Sequence, residues 1–194
     1  MESVDMRIVE EPKKPLAMNP RKFGMWLFLS TVVMVFASLT SAYIVRRAEG
    51  DWKNFDLPSL FYWTSLIIVV SSVTIQVGFI RAKKGDVGML RSLLAVTFIC
   101  GLLFLLGQVY AWGQLVEASI FLVGNPSESF VYVLSGLHGL HIVSALIFLL
   151  VVWLGAGKRS DRSINLIQLE LCVTYWHFLG GLWLYLFVFL TVYR

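Results

Sequence analysis

Apolar and charged positions separate along this chain into long uncharged runs and short clusters that hold nearly all the charge. Five runs contain no Asp, Glu, Lys or Arg: Phe23 to Val45, Phe61 to Ile80, Ser92 to Val116, Phe130 to Gly157 and Leu171 to Tyr193. Each reaches the roughly 20 residues that a helix needs to cross a bilayer core. The pattern predicts an all-α fold, a polytopic membrane helix bundle with five transmembrane helices over about 23–46, 58–81, 91–116, 130–156 and 170–193. Residues 1–20 carry Pro12, Lys13, Lys14, Pro15 and Pro20 without apolar periodicity and read as a disordered tail, so 21–194 forms one membrane domain.

Composition agrees. With 58% apolar and 14% charged residues among 194, the chain is too apolar for a water-soluble domain. The first run is too long for a signal h-region, follows 22 mostly polar residues and lacks a small-residue cleavage pattern, so it is expected to stay in the mature protein. No loop is long enough for a globular domain outside the membrane, and Arg194 follows directly on the last span. Soluble chemistry is therefore expected from partners.

Loop charge sets the orientation. If the spans alternate, twelve basic residues fall on the side of the N-terminal tail and the second and fourth loops, against four on the other side. The positive-inside rule then places the N-terminus in the cytoplasm. The basic residues sit at helix ends, where they meet lipid headgroups, so the net charge of +4 gives no reason to invoke nucleic acid. Cys100 and Cys172 both lie inside spans and read as small apolar side chains.

Chemistry-bearing residues within the spans are few. His138 and His141 stand three apart on the fourth helix, and His177 follows Glu170 by seven residues on the fifth, with Thr174 between them on the same face. Ionisable groups inside a membrane invite a functional reading. They serve equally well as locks, with histidines bonded to a carboxylate on a neighbouring helix. A lipid-headgroup or proton-antenna role and a metal or haem site are the other readings. A low-spin haem, a high-spin haem and a histidine-ligated copper together ask for about six histidines, whereas the chain has three. Polar residues such as Ser71, Thr74, Gln76 and Gln108, and small ones such as Gly180 and Gly181, fit helix packing. Trp52, Tyr62, Trp63, Trp112 and Tyr193 fit interfacial anchors.

Three stretches carry a resemblance: Phe-Gly-Met-Trp-Leu-Phe-Leu from Phe23, Gly-Leu-His-Gly-Leu-His ending at His141, and Tyr-Trp-His-Phe from Tyr175 with Trp183 following. Together they resemble subunit III of cytochrome c oxidase, of the haem-copper oxidase group, in its five-helix bacterial form. The likeness runs from about Arg21 to Arg194. His138, His141, Glu170, Trp176 and His177 match recurring positions of that family, and Gly24, Met25 and Phe28 match the start of its first shared helix. Two positions depart: Val32 stands where the family has a buried glutamate, and Gly180 where it has an acidic residue.

The resemblance implies an accessory subunit of a bacterial inner-membrane oxidase with no catalytic, cofactor-binding or metal-binding residue of its own. Haem and copper would belong to partner subunits, chiefly the catalytic haem-copper subunit I. Bound phospholipid and support of oxygen and proton access are implied as well, with His138, His141, Glu170, Trp176 and His177 as the structural, lipid or proton-support candidates. A component of a quinol oxidase or nitric oxide reductase stays open. So do a stand-alone cytochrome with His138 or His141 and His177 as axial ligands, and a small transporter relaying protons through Glu170 and His177.

Overall fold

The computed structural model describes residues 19–50, 52–53, 55–158 and 165–193. The tail expected to be disordered lies, but for its last two residues, outside them. Five helices run in chain order: α1 (Pro20–Arg47), α2 (Leu60–Lys83), α3 (Val87–Glu117), α4 (Pro126–Lys158) and α5 (Leu166–Val192). All are long and apolar enough to cross a membrane, and no strand occurs among the described residues. The protein is an all-α, multi-pass membrane protein.

Four of the five helix starts are fixed by short polar side chains that accept otherwise orphaned backbone N–H groups, α2 being the exception. Asn19 accepts the N–H of Arg21 ahead of Pro20, Asp86 that of Met89, and Asn165 that of Gln168. Asn125 accepts the N–H of Ser127 in the same way. These caps explain why α3 and α4 each begin four residues before the predicted spans at 91 and 130: the helices continue beyond the hydrocarbon to the first residue that can cap them. Between α2 and α3 the chain turns at Gly85, whose φ of +81° suits a residue without a side chain.

Side-chain bonds between neighbouring helices give their directions. Lys22 meets Glu170 and Tyr43 donates to the Tyr193 carbonyl, so α1 and α5 are parallel. Gln108 donates to Thr64 and Thr74 meets Thr97, so α2 and α3 are antiparallel. We call the side holding the starts of α1, α3 and α5 the near face, and the other the far face. α5 is central: it touches α1, α2 and α4, and half of its most apolar stretch is buried (50%), against 28–33% in the other helices. α3 contacts α2 and α4, and α1 and α2 do not meet among the described residues. One side of α5 is therefore open between them.

Three helices close tightly on Gly101 of α3. A Cβ there would lie 2.7 Å from both the Leu146 side chain of α4 and the Trp176 ring of α5. Replacing Gly101 by Ala is expected to force these helices apart at a cost of about 1–3 kcal/mol, read as a fall of several degrees in the melting temperature of detergent-solubilised protein. An unchanged midpoint would show that the three helices do not close on this residue.

Candidate functional site

The candidate residues concentrate on α5, where Glu-Leu-Cys-Val-Thr-Tyr-Trp-His-Phe places consecutive side chains against different neighbours. At the near face Glu170 forms an ion pair with Lys22 of α1 at 2.6 Å, both side chains partly solvent-accessible. One turn further in, the Thr174 hydroxyl donates to the Glu170 carbonyl at 2.9 Å. At the next turn the His177 Nε2 lies 3.0 Å from Oε1 of Gln76 on α2. An amide oxygen only accepts, so Nε2–H is the donor. Glu170 and His177 thus share the open side of α5, each tied to a different flanking helix.

The buried side of α5 meets α2 through two indoles. Trp176 Nε1–H donates to Ser71 Oγ at 3.0 Å, and Trp183 Nε1–H donates to Ser65 Oγ at 3.0 Å. Both tryptophans are essentially inaccessible. Phe61 of α2 stacks on Trp183 with ring centroids 5.8 Å apart. Toward α4, the Tyr175 hydroxyl bonds Ser144 Oγ at 2.7 Å. Between the indoles, Gly180 approaches α2 so closely that a Cβ would lie 3.1 Å from Ser72 Oγ. An acidic side chain at Gly180 would have to displace Ser72, which accounts physically for the small residue here.

The α4 histidines behave differently from each other. His141 Nδ1–H donates to the Leu137 carbonyl of its own helix at 2.8 Å, and the ring packs edge-on to Phe36 of α1 at 5.7 Å. His138 is fully buried among the rings of Phe36, Phe104 and Trp183, at 6.4, 5.9 and 5.2 Å, and neither of its nitrogens has a hydrogen-bond partner among the described residues. His177 is engaged on α2 instead, so the three imidazoles do not converge on one point. The histidine–carboxylate lock weighed from the sequence is not the arrangement formed, because Glu170 takes a lysine and His177 an amide. Val32, at the position where the resembling family has a glutamate, is 3% exposed in an apolar cluster with Phe36 and Leu186. Among the described residues no three His, Cys, Asp or Glu side chains gather as a metal-holding group.

Sequence reasoning passed over three contributors. In the sequence Lys22 is one loop charge among many, and Ser65 one hydroxyl among several on the second span. Glu128, 6% exposed, organises the far face: it accepts the Phe121 N–H at 3.3 Å and lies 3.9 Å from Lys53 Nζ. Its signal was present in Asn125-Pro126-Ser127-Glu128, which reads as N-cap, first-turn proline and third-position acid. The α3–α4 connection folds back on this cap, with the Tyr132 hydroxyl donating to the Ile120 carbonyl. Ile120 is half-buried, while Phe121, Leu122 and Val123 project outward. Close by, a cavity of about 810 Å³ opens between α1 and the start of α4, lined by Ser38, Ala42, Arg46, Ser129, Phe130 and Val133 among others.

Residues 51–194 match the family described as cytochrome c oxidase subunit III. The matched stretch holds α2 to α5, including Glu170 as well as Trp176, His177 and the α2 partners of these two, whereas the α1 residues such as Lys22 and Phe36 lie before it. A cytochrome c oxidase subunit 3 of Corynebacterium diphtheriae is 30% identical, covering 94% of this chain and 93% of its own length. A probable cytochrome c oxidase subunit 3 of Mycobacterium tuberculosis is 30% identical, covering 87% and 86%. A cytochrome bo(3) ubiquinol oxidase subunit 3 of Pseudomonas aeruginosa is 29% identical, covering 85% and 81%.

The indole–serine pairs have a measurable signature. Ser71→Ala leaves the buried Trp176 N–H without an acceptor and is expected to cost about 1–3 kcal/mol, whereas Trp176→Phe in the Ser71→Ala background removes the stranded donor and costs less than the two single losses combined. Thermal melts of the four proteins check this, and strictly additive losses would show that the pair is not coupled.

Proposed function

Because the chain belongs to the cytochrome c oxidase subunit III family, we propose that it is the non-catalytic accessory subunit of a respiratory oxidase that reduces oxygen and pumps protons. In this reading it sits in a bacterial inner membrane with its N-terminus cytoplasmic and packs against a catalytic haem-copper subunit I. It holds no redox centre of its own. The carrying observation is that the motif residues of α5 are engaged within the bundle: Trp176 on Ser71, His177 on Gln76 and Glu170 on Lys22. Side chains committed in this way stiffen a scaffold, and they are poorly disposed to ligate a haem between α4 and α5.

Two finer roles have support. A phospholipid fits the cavity beside α1, where Arg46 and Ser129 line the far-face end and Ser38, Ala42 and Val133 offer a path for an acyl chain. A proton-support role would draw on the near-face line of Glu170, Thr174 and His177, which follows the open side of α5. The electron donor is either cytochrome c or a quinol, and the likeness to a ubiquinol oxidase subunit keeps the second reading in view.

Affinity purification of the tagged chain in mild detergent, with optical spectra and mass spectrometry, tests the accessory reading. Haem absorbance arriving with a larger, histidine-rich membrane subunit is the expected result. A lone chain of 22.0 kDa, whether colourless or carrying its own haem, overturns it. Within the complex, Glu170→Gln and His177→Ala are expected to lower the fraction of this subunit retained on purification. Full retention with faster inactivation during turnover would assign these two residues to proton support instead.

A further inference from the structure

Three buried polar atoms near the middle of the bundle have no hydrogen-bond partner among the described residues: Nδ1 and Nε2 of His138, and Oε1 of Gln108. Both residues are almost wholly inaccessible, at 0% and 2% exposure. They also belong to one neighbourhood. Phe104, one turn before Gln108 on α3, packs edge-on to the His138 ring. Trp112, one turn after Gln108, donates to Ser135, which lies one turn before His138 on α4. Gln108 is therefore bracketed by two α3 residues that touch α4 at His138 and one turn away, with about 6 Å of helix rise on either side.

The neighbouring hydroxyl and indole protons are already placed, so none is left for Gln108 Oε1 or the imidazole lone pair. The Thr64 and Ser65 hydroxyls donate to the Phe61 carbonyl, Ser135 donates to the Val131 carbonyl, and the Trp183 N–H goes to Ser65. The rings of Phe36, Phe104 and Trp183, which offer no lone pair to an N–H, pack around His138. A neutral imidazole offers one N–H and one lone pair, and the amide oxygen of Gln108 accepts only. Leaving all three unmet in a membrane interior is costly.

We propose that the bundle interior binds water at this point, one molecule donating to both Gln108 Oε1 and an imidazole nitrogen of His138, and a second meeting the other nitrogen. Internal water held by two to four polar groups is an ordinary structural element. Gln108 Nε2–H already donates to Thr64 at 3.1 Å, so the site extends a polar thread from α2 through α3 to α4, around Trp183 of α5.

The test is a cryo-EM map of the intact complex containing this chain, at a resolution that shows ordered water, together with melting temperatures of Gln108→Met, His138→Phe and the double variant. Water density at about 2.7–3.2 Å from Oε1 and an imidazole nitrogen is expected. Each single variant should lose on the order of 5 °C, and the double variant no more than the worse single. A dry site, with His138 turned onto its own helix as His141 is on the Leu137 carbonyl, overturns the proposal. So do additive losses. If the variants fail to assemble, the map alone decides.

Discussion

Inside hydrocarbon there is no bulk water to receive a stray polar group, so a donor carried by a buried side chain needs a fixed acceptor within the bundle. The two indoles of α5 make that constraint specific. Trp176 and Trp183 stand seven residues apart, and their acceptors Ser71 and Ser65 stand six apart in the opposite direction on α2. Only an antiparallel pairing in one register satisfies both. A slip of one residue would rotate both indoles by about 100° and strand two buried N–H groups. α3 then docks on the same helix from another side, through Thr64 and Thr74. α2 is in effect a rail of hydroxyls that sets the depth of both neighbours.

α1 is held differently. It makes few contacts along its length and is fastened at its ends, by Lys22 to Glu170 on the near face and by the Tyr43 hydroxyl to the Tyr193 carbonyl on the far face. Between these points the Tyr185 hydroxyl donates to Thr40 Oγ1 at 3.3 Å, and Phe28 packs against Tyr175 and Phe36 against the two α4 histidines. The ion pair is partly exposed, where such pairs contribute about 0–1 kcal/mol, so the buried contacts of Leu29, Val32, Phe36 and Tyr43 carry more of the attachment. The outward side of α1, with Trp26 and Met34 among its exposed residues, is left to face lipid or another subunit.

The five spans were legible because a charged side chain in the bilayer core is costly enough to be nearly absent there, and the gaps between charges therefore mark the helices. The helix starts at Asp86 and Pro126 were legible in principle, since capping chemistry is local. The partners across helices were not. Each helix is apolar around most of its circumference, so no apolar stripe points to the core, and the central place of α5 could not be read from its hydropathy. Glu170 and His177 illustrate the consequence. Seven residues put them on one side of α5, as the spacing indicated, yet they differ in depth by about 10 Å. Over that distance the nearest helix changes from α1 to α2, and lysine and glutamine meet them in place of the histidine–carboxylate pair.

The same arrangement bears on what a scaffold of this kind can offer a partner. Along the α2–α5 contact the donors and acceptors are committed to one another, and the tight approach of α3, α4 and α5 at Gly101 leaves little room for repacking. At the surface the picture reverses. The side of α5 between α1 and α2 is uncovered and carries Glu170, Thr174 and His177, and the far-face cavity opens toward α1. A subunit that contributes rigidity from its interior and adaptability from its edges suits attachment to a larger membrane partner, since the interior fixes the shape that is recognised. It also confines the effect of sequence change. Substitutions on the lipid-facing side of α1 alter what the bundle touches, whereas substitutions along the α2–α5 rail alter whether it forms at all.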